Sequence, residues 1–140
     1  MSVSVIPYLN FNGECEEAIR LYTEIFGGEI LYLSRWSELS AKDPTQIGKV
    51  MHVEFLVGET HMSAGDSFDR KGTDASIKLM VHMDDPQKAT DTCGLLSEGG
   101  SVISPLVPHP APDDGGMGAV LEDRFGYRWI ITCPNPDKQS

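Results

Sequence analysis

Apolar and polar residues alternate over much of the chain with the period of a β-strand, but two segments follow the period of a helix. In Glu14–Phe26 the apolar residues recur at spacings of three and four, and acidic residues fill the first turn, where the helix dipole favours them. The second segment starts at Asp84–Pro86, with an aspartate cap and a first-turn proline, and runs to about Glu98. Both segments end at a Gly-Gly pair, which suits a left-handed helix cap. The pattern therefore predicts two helices in an internal repeat.

One predicted strand precedes each helix and three follow it, so the plan is βαβββ, twice. The predicted strands are Val3–Leu9, Glu29–Trp36, Val50–Val57 and Thr60–Gly65, then Ile77–Met83, Ser101–Ser104, Met117–Glu122 and Arg128–Cys133. Two longer loops are expected, the polar Ser37–Lys49 and the Pro- and Gly-rich Pro105–Gly118. The predicted fold class is α+β, with a first module at 3–66 and a second at 77–133 in one domain spanning 1–140.

Strand alternation assigns the side chains to two faces of the predicted sheets. Apolar rows such as Val53, Phe55 and Val57 are expected to face the helices, and Ile6 and Tyr8 are placed with them. The opposite, open face would carry Val5, Pro7, Leu9, His52, Glu54, Leu56, Lys78, Met80, His82, Arg128, Ile130 and Thr132. A mixed apolar and polar face of this kind is typical of a small-molecule site. A partly solvated sheet face is the alternative.

Composition narrows the class of partner. Apolar residues make up 40% of the 140 and charged residues 23%, which is an ordinary globular balance. The net charge of −10 and the lack of a basic cluster argue against nucleic acid and anionic membranes as partners. No basic segment followed by an apolar core suggests a signal peptide, and no apolar run approaches the roughly 20 residues of a membrane span. The cysteines Cys15, Cys93 and Cys133 are odd in number and widely spaced, which favours a reduced, cytoplasmic setting.

Several local motifs add to the repeat. They are the Pro7–Gly13 segment, Glu17-Ala18, Tyr22, Phe26–Gly28, His52, Gly58, Met62–Asp66 and Asp123–Trp129. Together with the paired βαβββ modules they resemble the vicinal oxygen chelate superfamily, which contains glyoxalase I, bleomycin-resistance proteins and extradiol dioxygenases. These motifs look most like those of its PhnB-like branch. The resemblance implies a mixed sheet that curls into a cup with the helices on its outer face, and a homodimer.

The resemblance also bears on metal binding, because metal-dependent members place ligands on the first, fourth, fifth and eighth strands. Those positions fall here on Pro7, Ser63, Lys78 and Ile130. Proline and isoleucine have no ligand atom, protonated lysine is a poor ligand, and serine is a weak one. We therefore expect neither the glyoxalase I metal site nor any cofactor. The alternative is a displaced divalent-metal site formed by His52, Glu54 and His82, the ligand set of catalytic zinc or non-haem iron.

The first functional hypothesis is a metal-free, dimeric small-molecule binding protein. Lys78 and Arg128 would contact an anionic ligand, while Met62, Phe68 and Met80 would contact its apolar part, although core packing explains Met62 and Phe68 equally well.

The second hypothesis is an enzyme that uses His52, Glu54 and His82 as its catalytic residues. It would be a metal-dependent lyase, isomerase or dioxygenase, or a metal-free acid–base catalyst. His61 and His109 are assigned to loops or the surface. The third hypothesis is a structural dimer without a ligand. Some proteins of this branch carry a ubiquinone-pathway methyltransferase label, which we do not adopt because the sequence has no GxGxxG loop in a Rossmann context.

Overall fold

The computed structural model describes residues 2–72 and 75–138 of the chain. The chain divides between Lys71 and Gly72 into two compact units. Each unit has one long helix and one four-stranded mixed sheet in the order βαβββ. The predicted α+β class with two βαβββ modules is therefore confirmed.

The first unit contains a parallel strand pair at one edge of its sheet. Its elements are β1 (Tyr8–Phe11), α1 (Cys15–Phe26), β2 (Ile30–Arg35), a 3-10 turn (Pro44–Gln46), β3 (Val50–Val57) and β4 (Thr60–Asp66). The strand order is β1-β4-β3-β2, in which β1 runs parallel to β4 and the other pairs are antiparallel.

The helix α1 packs on this sheet through one apolar side. Ala18, Ile19 and Tyr22 are buried, and the helix contacts β3 and β4. The start of the helix is held by Asp66 at the end of β4, which is 1% exposed. Its carboxylate accepts hydrogen bonds from the backbone N–H groups of Gly13, Cys15 and Val50, at 2.7, 3.1 and 3.0 Å. A remote side chain thus satisfies the first amide of the helix, and it also binds the turn before the helix and the start of β3.

The second unit repeats the arrangement of one long helix and four strands. Its elements are β5 (Leu79–His82), α2 (Pro86–Ser97), β6 (Ser101–Pro108), β7 (Gly116–Glu122), β8 (Arg128–Pro134) and a 3-10 turn (Pro136–Lys138). The order is β5-β8-β7-β6, with β5 parallel to β8. The predicted start of α2 is confirmed, because the Asp85 side chain accepts a hydrogen bond from Gln87 N at 2.9 Å.

The first strand differs from the prediction in both its bounds and its register. It begins at Tyr8 and not at Val3, and it extends past the predicted end at Leu9 to Phe11, which is fully buried. Leu9 is consequently on the helix side and Tyr8 on the open face, the reverse of the predicted assignment. The physical reason is that a shift of one residue moves every side chain of a strand to the other face, and Phe11 is the larger apolar anchor.

The predicted Pro105–Gly118 loop is also wrong in its bounds, because β6 continues to Pro108 and β7 begins at Gly116. The prolines are tolerated because β6 is the edge strand of its sheet, where a missing N–H need not interrupt a ladder. The register shift between Ser104 and Val107 falls at Pro105.

The predicted core rows of the later strands are confirmed. Val53 and Phe55 of β3 are buried, as are Trp129 and Ile131 of β8. Neither of the two long helices described here has the length and apolar character needed to cross a membrane.

Candidate functional site

The open face of the first sheet carries a row of aligned side chains. In register across the four strands, Tyr8 of β1 lies beside Ser63 of β4, Ser63 beside Glu54 of β3, and Glu54 beside Tyr32 of β2. We name this surface the Glu54 face. It consists of Tyr8, Tyr32, His52, Glu54, His61 and Ser63.

Glu54 is the centre of a hydrogen-bonded cluster. Ser63 Oγ donates a short hydrogen bond to Glu54 Oε2, and His52 Nε2 lies 2.5 Å from the same oxygen. His61 Nε2 lies 2.8 Å from Oε1. Both carboxylate oxygens are thus engaged, and the headgroup of Glu54 is fixed from three sides. His61 was expected in a loop or at the surface; it lies within β4, and its side chain is 42% exposed.

These contacts keep Glu54 ionised. The hydrogen bond from Ser63, followed by those from His61 and His52, holds the pKa of Glu54 below its usual range despite partial burial. The pKa of Tyr8 is raised, first by burial and then by the charges of Cys15, Glu54 and Asp66. At neutral pH the face therefore combines a carboxylate with a neutral phenol.

Two tyrosine rings flank His52. The Tyr8 ring stacks on the imidazole with a centroid distance of 5.8 Å and an interplanar angle of 24°. The Tyr32 ring stands 6.4 Å from the same imidazole, tilted by 47°. Tyr8 is 48% exposed and Tyr32 57% exposed, so both rings remain accessible from solvent. The two edge strands thereby border a polar centre with aromatic surface.

Gly65 makes room for the Tyr8 ring. A Cβ atom at this position would lie 2.7 Å from Tyr8 Oη and 2.6 Å from the carbonyl oxygen of Met51. Real Cβ atoms essentially never come that close to other heavy atoms. The absence of a side chain at position 65 therefore allows Tyr8 to lie across the sheet toward His52.

The structure brings together two of the three predicted catalytic residues, His52 and Glu54. The third, His82, belongs to the second unit. There its Nδ1 lies 2.8 Å from Thr132 Oγ1 and its Nε2 lies 3.2 Å from Asp84 Oδ1. Sequence reasoning missed the part that His61 and Ser63 play. Both lie in the predicted strand Thr60–Gly65 two residues apart, so alternation alone would have placed them on one face.

The predicted anion contacts have their own partners. Arg128 Nε lies 3.3 Å from Glu122 Oε1, so a carboxylate compensates the charge of this guanidinium. Lys78 is exposed, and its ammonium donates a hydrogen bond of 3.3 Å to the carbonyl of Ala75. This pairing weakens the case for an anionic ligand at Arg128.

The three predicted apolar contacts occupy different environments. Met62 is 3% exposed and lies in the core, because the alternation of β4 sends it to the helix side beside Phe55. Of the two roles considered for Met62, ligand contact and core packing, the structure supports core packing. Phe68 has a φ of 64° and its ring lies 6.3 Å from that of Trp36. Met80 is 65% exposed, on the same side of β5 as His82.

The residues at the expected metal positions do not suit a metal ion. The open-face residue of β1 is Tyr8 and not Pro7, the Ser63 hydroxyl donates to Glu54, and Ile130 is apolar. Within 2–72 and 75–138, no three His, Cys, Asp or Glu side chains are grouped so that they could hold a metal ion. The displaced site of His52, Glu54 and His82 gains no support from this geometry.

A concave feature separate from the Glu54 face lies beside the start of α1. It is a cleft of about 430 Å³ lined in part by Glu16, Arg20 and Lys49. Glu16 accepts hydrogen bonds from Arg35 at 2.8 and 2.9 Å and from Arg20 at 2.8 Å. Those bonds, led by Arg35, lower the pKa of Glu16 to about 2. Within this cleft, Glu16 and Arg20 thus compensate each other's charge.

The comparisons with known proteins agree with this architecture. A PhnB protein from Bacillus cereus is 26% identical, with a TM-score of 0.79 over 94% of this chain and 99% of its own. A Pseudomonas aeruginosa protein is 28% identical, with a TM-score of 0.81 over 95% and 98% of the two chains. The fosfomycin resistance protein FosX from Listeria monocytogenes, 10% identical with a TM-score of 0.68 over 98% of both chains, shares the fold.

The fold thus defines a protein of the vicinal oxygen chelate class, with paired glyoxalase-type modules. More narrowly, residues 3–132 match the PhnB-like family described as 3-demethylubiquinone-9 3-methyltransferase, and the chain belongs to that family. No curated protein matches the sequence.

Proposed function

We propose that this glyoxalase-type protein binds a small molecule, and that the Glu54 face holds it. The observation that carries the proposal is the convergence of His52, His61 and Ser63 on one accessible carboxylate between two exposed tyrosine rings. A few convergent polar groups among aromatic side chains are the usual composition of a ligand site.

Exposure and order on this face support the same conclusion. The side chains of His52 and Glu54 are 39% and 24% exposed, so a ligand can reach both. The carboxylate is nevertheless fixed by three partners, which lowers the entropy cost of binding to it. A merely solvated face would need neither the cluster around Glu54 nor the stacking of Tyr8 on His52.

An acid–base catalyst is a second candidate, favoured by one contact. His52 Nε2 lies 2.5 Å from Glu54 Oε2, and a carboxylate that orients an imidazole is a common device of general-base catalysis. The methyltransferase activity in the family description is not part of the proposal, because the sequence has no glycine-rich nucleotide loop. We also propose that the protein is a homodimer, which sedimentation equilibrium tests directly.

The test is a fragment screen by ligand-detected NMR, followed by mapping of the hits onto assigned backbone and imidazole resonances. We expect hits to shift the signals of His52, His61 and Tyr32. Glu54→Gln should weaken them, whereas Glu59→Gln, which removes the same charge from the exposed β3–β4 turn, should not. A screen whose hits all map away from the Glu54 face would refute the proposed site. Dependence on Lys78 or Arg128 would move the site to the second unit.

A further inference from the structure

Glu54 has hydroxyl and imidazole partners in place of a lysine or arginine in the described part of the chain. Its partners are one hydroxyl and two imidazoles, and within the described ranges 2–72 and 75–138 no lysine or arginine pairs with it. In the second sheet, by contrast, Glu122 of β7 pairs with Arg128 of β8. Because the pKa of Glu54 is lowered, its carboxylate persists at neutral pH.

The rings around this carboxylate are suited to a cationic ligand, as the carboxylate itself is. Tyr8 and Tyr32 present exposed aromatic surface on the two sides of His52, at centroid distances of 5.8 and 6.4 Å. The faces of tyrosine rings attract cations within about 6 Å and stack on other aromatic rings. The chain as a whole carries a net charge of −10, which attracts cations and repels anions.

We propose that the ligand of the Glu54 face is a small aromatic amine, bound as its ammonium cation. This inference rests on the proposed function and narrows its ligand class. The ammonium group would donate to Glu54, and its aromatic ring would lie against Tyr8 and Tyr32. An aromatic carboxylate would meet the charge of Glu54 and be rejected. A neutral aromatic alcohol would keep the ring contacts but lose the charge interaction.

The experiment compares three probes of nearly equal size, namely benzylamine, benzyl alcohol and benzoate. Their affinities are measured by NMR shift titration of the full chain at neutral pH and constant salt. We expect benzylamine to bind about tenfold more tightly than benzyl alcohol, and benzoate to leave the Glu54 face unshifted. Equal affinities for benzylamine and benzyl alcohol on the Glu54 face would overturn the cation inference and leave the proposed binding site intact.

Two variants separate charge from ring contacts. Glu54→Gln should lower the affinity for benzylamine to about that for benzyl alcohol, while Glu59→Gln changes neither by more than about twofold. Tyr32→Leu, at an exposed position that the fold does not require, should weaken both probes. Unchanged benzylamine affinity in folded Glu54→Gln protein would contradict the inference. Shifts that appear for every probe only outside the Glu54 face would instead contradict the proposed function.

Discussion

The two units use the same strand plan to present different chemistry. Glu54 on β3 lies opposite Ser63 on β4, and Glu122 on β7 lies opposite Arg128 on β8. In the first unit a hydroxyl and two imidazoles surround the carboxylate, and in the second a guanidinium neutralises it. A glutamate on the third strand of a unit thus becomes a candidate ligand anchor in one case and half of an internal ion pair in the other, depending on the residue across from it.

The two units also differ in how the start of the helix is capped. Asp85 caps α2 from the adjacent residue, whereas α1 depends on Asp66, which lies at the far end of the unit's last strand. The N-cap of α1, Glu14, makes no side-chain cap hydrogen bond. The first unit therefore joins its helix to its sheet through a buried carboxylate, and the second has a local cap. The following predictions test these differences.

The largest effect is expected for Asp66→Ala, which leaves two backbone N–H groups at the start of α1 and one at the start of β3 without their acceptor. We expect a loss of about 3–5 kcal/mol in the free energy of unfolding, since each unsatisfied buried donor costs about 1–3 kcal/mol. Urea denaturation followed by circular dichroism measures it. A loss below about 1 kcal/mol would show that water replaces the carboxylate and that the remote cap matters little.

Gly65→Ala should destabilise the first unit by about 1–3 kcal/mol, because the added Cβ meets the Met51 carbonyl and Tyr8 Oη. It should also displace the Tyr8 ring and change the imidazole NMR signals of His52. Gly94→Ala is the matched control. Its Cβ would meet nothing within 4 Å on helix α2, and we expect it to stabilise the protein by about 0.5–1 kcal/mol. Unaltered His52 signals in Gly65→Ala would contradict the described packing of Tyr8.

Asp85→Ala should lower the free energy of unfolding by about 1 kcal/mol, the usual effect of removing an N-cap. The substitution removes one exposed hydrogen bond, from Gln87 N to the Asp85 side chain. Thermal unfolding of this variant beside Asp66→Ala compares the local cap with the remote one directly. Equal losses in the two variants would remove the difference we draw between the helix starts.

Ser63→Ala should change the Glu54 titration more than it changes stability. The hydrogen bond from Ser63 is the first cause of the lowered pKa, so its removal should raise the pKa of Glu54 toward its usual value, as measured by carboxyl-carbon NMR. Because folding lowers this pKa, the stabilisation it brings is present above the unfolded pKa and is lost as the pH falls through the folded value. Ser97→Ala, on helix α2, should leave the Glu54 titration unchanged.

The long periodic elements could be predicted from the sequence, and the short first strand could not. The helices, β3 and the capped start at Asp85 follow from local patterns. Tyr8 was assigned to the wrong face because β1 pairs over only four residues, too few for alternation to fix the register. The prolines of β6 suggested a loop, since the sequence does not reveal which strand lies at an edge.

For the candidate site, alternation correctly placed His52 and Glu54 on one face. The contact between Glu54 and His61 depends on which strands are neighbours, which is decided by long-range pairing. The pairing of Arg128 with Glu122 was missed for the same reason, because it requires the register of β7 against β8.

Each unit closes by pairing its first strand with its last, and this has a consequence for synthesis on the ribosome. The parallel ladder of the first unit pairs Tyr8 with Ser63, and that of the second pairs Leu79 with Trp129. Neither ladder can form until the later residue of its pair has been synthesised. Such distant partners make folding slower than local contacts would, because a long loop must close first. A nascent chain that ends within β3 therefore has no partner for β1, and each unit can complete its sheet only after its final strand has left the exit tunnel.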